Sequence, residues 1–289
     1  MMQHFGGVGA ILKSRGVSNL QSPTSRRTFY EYRAIQLPIQ LALRQVSFLG
    51  SPEWIDPPWK LTETPSITHL HTVIDIAFSI PALMQRFDLL QHSKQALDDA
   101  SFYGNLRGIK SEALAIQKAF NNWNKHSQFG DKTSQLYIAR LSSTIEKPKI
   151  INIKDIYPIS FTFPNWDAAS ALVYYEMSRI YLNSLLIDID TCLRPCNSNN
   201  SSVAHHFVDM ESLTNQSIAC ADRICQSLQF FFEDHDRMIG RMVVLAPFEV
   251  AKSLFTQLCD ARCGDSEVDA SLKRKLEFCE VVASMQINQ

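Results

Sequence analysis

The chain is predicted to be all-α: a single multi-helix, bundle-like domain over 1–289, with long loops and one buried central helix. Two observations carry this. Residues 164–190, PNWDAASALVYYEMSRIYLNSLLIDID, are apolar over most of a helical circumference, and a helix of that kind needs other helices around it. Elsewhere, apolar residues recur at steps of three and four through stretches of helical length.

In the central helix Asn165 is the predicted N-cap, its side-chain oxygen accepting from an unpaired N–H of the first turn, and Asp167 faces the positive end of the helix dipole. Trp166, Ala169, Val173, Met177, Ile180 and Ile187 form one apolar stripe, with Ala168, Leu172, Tyr175, Leu182, Leu186 and Ile189 beside it. A narrow polar face remains through Glu176, Arg179 and Asn183, where Glu176 and Arg179 stand one turn apart and can pair. On this reading Met177→Ala or Ile180→Ala costs about 2–5 kcal/mol, and changes at Glu176 or Asn183 cost little.

Along the chain, residues 4–16 predict a short helix with Val8, Ile11 and Leu12 on one face, ended by Gly16; it starts abruptly, as if the chain began inside a domain. Gly7-Val8-Gly9 invites a dinucleotide reading, but Leu12 replaces the third glycine and no strand precedes it. Residues 18–27 read as a loop. Residues 28–49 form a helix through Phe29, Tyr32, Ile35, Ile39, Ala42 and Val46, kinked at Pro38. SPEWIDPPW, 51–59, reads as an extended segment pinned by its tryptophans.

A third helix spans 65–91, interrupted by Pro81, and a fourth 93–123. Between 124 and 164, a region of flexible loops, residues 136–141 fit a short helix; Ile159, Phe161 and Phe163 fit a strand or an extended hydrophobic loop equally well. The central helix runs to 193, and 194–208, including CNSNNSS, reads as a second flexible loop. Helices follow over 209–232, with Ala221, Ile224, Cys225 and Leu228 inward and Asp222 and Gln229 outward; from Pro247 to 258, with Val250, Leu254 and Leu258 inward; and over 265–285.

Composition narrows the function. With 45% apolar residues the chain has ample core material, and a net charge of −1 argues against a nonspecific grip on polyphosphate. Lys273-Arg274-Lys275 reads as a solvated helix face. Seven cysteines, all from Cys192 onward, favour a reducing compartment. No unbroken apolar run reaches membrane-spanning length and no secretory leader is recognisable, so a soluble intracellular protein is expected.

No constellation of residues carries recognisable chemistry. His69 and His71 lie on opposite sides of a helix and cannot share a metal. Asp98-Asp99 resembles an aspartate-rich magnesium site, but Phe102 stands where a third carboxylate is needed. His205, His206 and Asp209 meet an H-x-x-x-D spacing without the glycine an acyl transferase wants, and Glu233-Asp234-His235-Asp236 reads as a solvated helix end. Cys192 and Cys196 are too loosely spaced from these histidines for zinc. Catalytic, cofactor-binding and metal-binding residues are therefore expected to be none, and no cofactor is assigned.

Spaced residues across most of the chain resemble the fungal-specific regulatory domain of zinc binuclear cluster transcription factors. They are His4, Gly7, Leu12, Arg15 and Gly16; Phe29, Arg33, Leu43, Arg44, Phe48 and Leu49; Glu53-Trp54 and Pro58-Trp59; then the central helix, Ala221, Ile224, Cys225 and Leu228; and Gly240, Pro247, Phe248, Ala251 and Phe255. The resemblance implies an all-helical nuclear effector domain whose partners are the transcription machinery or a DNA-binding regulator. The six-cysteine cluster, its basic linker and its heptad segment are missing, since no cysteine precedes Cys192. Direct contact with nucleic acid is therefore not expected, and the chain reads as a fragment of a longer regulator or a relative that has lost DNA contact. The competing classes are an all-helical enzyme of isoprenoid-cyclase type and a non-transcriptional scaffold or ligand-sensing module.

Overall fold

The computed structural model describes residues 2–56, 69–96, 98–129, 135–142, 156–194, 209–233, 237–261 and 267–287. These are helical apart from one pair of short strands, so the protein is all-α as the periodicity predicts. The residues group into two compact units, in place of the single domain that the periodicity predicts: residues 1–124 with 184–208, and residues 125–183 with 209–289.

In the first unit α1 spans Met2–Arg15 and stops at Gly16, whose φ of 69° lies where a side chain is strained. Its inward residues are Gly9 and Leu12; Val8 and Ile11 are exposed, which corrects the expected face. A Cβ on Gly9 would stand 2.3 Å from Tyr32 Oη, so the second glycine of Gly7-Val8-Gly9 permits close packing. Helix α2, Pro23–Leu43, begins inside the expected loop because Ser22 caps it, accepting from the Ser25 N–H at 3.1 Å, with Pro23 in the first turn. Its buried face is Phe29, Tyr32, Arg33, Gln36, Leu37 and Leu41, while Ile35 and Val46 are exposed. Phe29 and Tyr32 of the expected stripe lie on this face, but the rest of the stripe is displaced from it, because the buried Arg33 and Gln36 take positions that an apolar count leaves out.

SPEWIDPPW is helical where it is described: α3, Pro52–Ile55, buries Trp54, whose ring meets Phe48 and Phe29 at 4.9 and 5.6 Å. The third predicted helix is two, α4 (His69–Ala77) and α5 (Ser79–His92), and Pro81 is tolerated in the first turn of α5. Helix α6, Asp99–Phe129, buries Phe102, Leu106, Ile109, Ala113 and Phe120. Two enclosed ion pairs link these elements. Arg33 reaches Asp75 of α4 at 2.6 Å between the rings of Phe29 and Phe78, and Lys110 of α6 reaches the fully buried Asp190 at 2.7 Å.

In the second unit β1, Ile138–Leu141, pairs antiparallel with β2, Ile159–Thr162, with Leu141 opposite Ile159. The expected short helix at 136–141 is thus partly a strand, and Ile159 and Phe161 lie in its partner. The β-branched and alternating residues of 159–163 supply that partner, burying Phe161 and Phe163. Helix α7, Trp166–Leu193, whose residues 184–193 belong to the first unit, is capped by Asn165, whose Oδ1 accepts from the Ala168 N–H at 2.9 Å, and most of 168–190 is buried. Helices α8 (Met210–Glu233), α9 (Arg237–Ala261) and α10 (Glu267–Ile287) follow.

Helix α9 starts ten residues before Pro247, which lies inside it, and its buried face is Val244, Phe248, Ala251 and Phe255 instead of Val250, Leu254 and Leu258. Within α9, Met242–Ala261 is long and apolar enough to cross a membrane by length and composition, a property that unbroken apolar runs do not reveal and that core helices share. Residues 195–208 of the second predicted loop lie outside the described residues.

Candidate functional site

The densest polar grouping in the second unit is a seam between α7 and α8. Trp166 meets Phe230 and Phe231, Glu176 meets Arg223, and Asn183 meets Ser217, so positions rise along α7 as they fall along α8: the helices are antiparallel. The polar stripe of Glu176, Arg179 and Asn183 faces this partner. Glu176, 1% exposed, accepts from Nε and Nη2 of Arg223, a bidentate pairing. Arg179 donates to Tyr175 Oη at 2.9 Å and to Gln216 Oε1 at 2.7 Å. Asn183 Nδ2 donates to Ser217 Oγ at 3.1 Å, and that hydroxyl donates on to Leu213 O at 3.0 Å.

The expected Glu176–Arg179 pairing is therefore replaced by pairing across helices. So is the expectation that Glu176 and Asn183 can be changed cheaply, because an enclosed polar group that loses its partner bears the full desolvation cost. Arg223 lies 47 positions from Glu176, and no local sequence signal joins them.

The electrostatics of the seam describe a clamp. Burial, with the Glu176 carboxylate beside it, pushes the Cys220 thiol well above its ordinary range, so it is not a thiolate nucleophile. Burial raises the Tyr175 and Tyr137 hydroxyls in the same way, which leaves no phenolate base at neutral pH. Burial pulls the Arg223 guanidinium down, but Glu176 more than restores it, so the cation is held firmly. Firm cations, protonated thiols and neutral phenols hold two helices in register; they do not form a nucleophile with its base.

A second polar group lies between α8 and α10. Tyr157 Oη donates to Asp222 Oδ1 at 3.0 Å, and Lys275 Nζ donates to Asp222 Oδ2 at 2.7 Å. Asp222, expected on the outer side of α8, is thus partly covered, Gln229, expected there too, is 8% exposed, and Lys275 is not a freely solvated cation.

The residues considered from sequence are scattered. His71 stacks on Tyr30 with ring centroids 4.0 Å apart, while His69 stands edge-on to Trp123 at 6.4 Å. Asp98 caps α6: its two oxygens accept from the backbone N–H and the hydroxyl of Ser101, both at 2.8 Å, and these bonds hold its carboxyl below the usual range. Asp209 plays a similar part at α8, accepting from the Glu211 N–H at 3.1 Å. Residues 196, 205, 206 and 234–236 lie outside the described residues. Among the described residues no group of three or more His, Cys, Asp or Glu side chains is placed to hold a metal.

Comparison with protein-family models, with curated proteins and with solved structures finds no match for this chain.

Proposed function

We propose that this chain is the effector, or regulatory, domain of a fungal transcription regulator, acting by association with protein partners while another module supplies the DNA contact. The observation that carries this reading is the ordered series of spaced residues running from His4 to Phe255. Its support in the fold is that many of these residues occupy constrained positions. Leu12, Phe29, Arg33, Leu49 and Trp54 are buried, Gly16 has positive φ, and Arg44 pairs bidentately with Asp88 at 2.7 Å. Towards the C-terminus Ala221, Ile224, Cys225, Leu228, Phe248, Ala251 and Phe255 are buried as well. Residues that define a framework in this way are what a domain retains when its surface, and with it the choice of partner, changes.

The isoprenoid-cyclase alternative has less behind it, because the Asp98 carboxylate is occupied in capping α6. The reading is tested on one fusion of the whole chain to an unrelated DNA-binding domain, assayed both for reporter output in a fungal nucleus and for turnover of a prenyl diphosphate with magnesium. Altered output without turnover is expected. Turnover that is lost in Asp98→Asn with Asp99→Asn, beside a silent reporter, would overturn it.

A further inference from the structure

Cys225 of α8 and Cys279 of α10 stand 54 positions apart in sequence, and their sulfurs lie 4.0 Å apart, both enclosed. The contact does not depend on the two thiols alone. One turn earlier on each helix Lys275 Nζ binds Asp222 Oδ2 at 2.7 Å, and Tyr157, which donates to Asp222, packs edge-on against Phe278 with centroids 5.3 Å apart. These contacts fix the register of α10 on α8 and hold the sulfurs opposite each other. All five described cysteines, Cys192, Cys220, Cys225, Cys259 and Cys279, are free thiols, and Cys225 and Cys279 are the two whose sulfurs stand against each other.

We propose that Cys225 and Cys279 form an oxidisable dithiol, which a hydroperoxide converts to a disulfide that ties α10 to α8. One thiolate attacks the peroxide oxygen, giving a sulfenic acid and releasing the alcohol or water of the cleaved O–O bond. The second thiol then attacks the sulfenic sulfur, forming the S–S bond and expelling water, so two electrons and two thiol hydrogens pass to the oxidant. The sulfurs must close from 4.0 Å to about 2.05 Å, a movement of the scale of side-chain rotation.

In the closed fold the neighbouring Cys279 thiol and burial push the Cys225 thiol up and slow its attack. Oxidation therefore proceeds through local opening of α10, which is packed along one side while Val268, Lys273, Arg274 and Glu277 face solvent.

The test treats the whole reduced chain with hydrogen peroxide, then alkylates, digests without reduction and maps the linked peptides by mass. The expected result is a Cys225–Cys279 linkage two mass units lighter than the dithiol, forming more slowly than Cys192 and Cys259 are modified and reversed by dithiothreitol. The linked protein should also melt higher than the reduced one, since a cross-link over so long a loop restricts the unfolded chain. Cys279→Ser should abolish the linkage and leave Cys225 open to alkylation after denaturation. Cys225 and Cys279 both still alkylatable once the other thiols are fully oxidised, or either of them linked to a different cysteine, would overturn the proposal. Because the readout is the linkage itself, the outcome is independent of whether the chain regulates transcription.

Discussion

The seam between α7 and α8 makes an asymmetric prediction about two partners of one ion pair. Glu176 is 1% exposed, whereas the Arg223 side chain is 30% exposed and can turn toward water. Glu176→Met therefore leaves a cation with somewhere to go, and is expected to cost about 2 kcal/mol, below the range for fully buried pairs. Arg223→Met leaves a carboxylate enclosed without its cation and should cost about 3–5 kcal/mol. Arg179, one turn away, is not a ready substitute, because it is engaged with Tyr175 and Gln216.

The double substitution should be more stable than Arg223→Met alone, since removing both charges removes the unpaired one. Urea denaturation followed by far-ultraviolet circular dichroism at neutral pH measures all three variants. Arg223→Met costing no more than Glu176→Met, or both costing under about 0.5 kcal/mol, would refute the enclosure of Glu176 on which the reasoning rests.

In the first unit, burial holds the Asp188 carboxyl above its ordinary value, with Asp88 adding to the shift and Arg44 opposing it. The folded state then binds this proton more tightly than the unfolded one, so this residue's contribution to stability falls as pH rises upward from 3.8. Asp188→Asn should flatten that part of the pH profile in thermal melts, and an unchanged slope would show that the shift is absent. At Gly9, substitution by alanine places a methyl group 2.3 Å from Tyr32 Oη and should cost about 1–3 kcal/mol, much of it recovered when Tyr32→Phe removes the oxygen. Equal loss in the single and double variants would mean that α1 shifts instead of meeting Tyr32.

Local rules carried much of the architecture. Asn165 was readable as the cap of α7 because capping needs only residues three apart, and Gly16 as the stop of α1 for the same reason. Helix faces were read less well wherever a charged residue sits inside. Arg33 is buried on α2 between two aromatic rings, so the apolar pattern alone pointed to Ile35 and Val46, which are exposed.

The candidate site was legible only by half. Glu176, Arg179 and Asn183 stood out as a polar stripe on an apolar helix, but their partners on α8 lie 30 or more positions away and nothing local identifies them. Asp222 misled in the opposite direction: on its own helix it looks solvated, and it is partly covered because Lys275 and Tyr157 arrive from distant parts of the chain. Strand pairing failed for a related reason. Ile138–Leu141 has no alternating pattern of burial, being exposed throughout, and is a strand because Ile159–Thr162 lies beside it.

On the function proposed above, the chain acts on transcription by association, once another module has brought it to a promoter. The most direct measurement compares reporter output in a fungal nucleus for the whole chain expressed alone and for the same chain fused to an unrelated DNA-binding domain, with expression and nuclear placement verified for both. Altered output from the fusion and none from the chain alone is the expected result. A fusion that is folded and nuclear yet leaves the reporter at the level of the bare DNA-binding domain would contradict it.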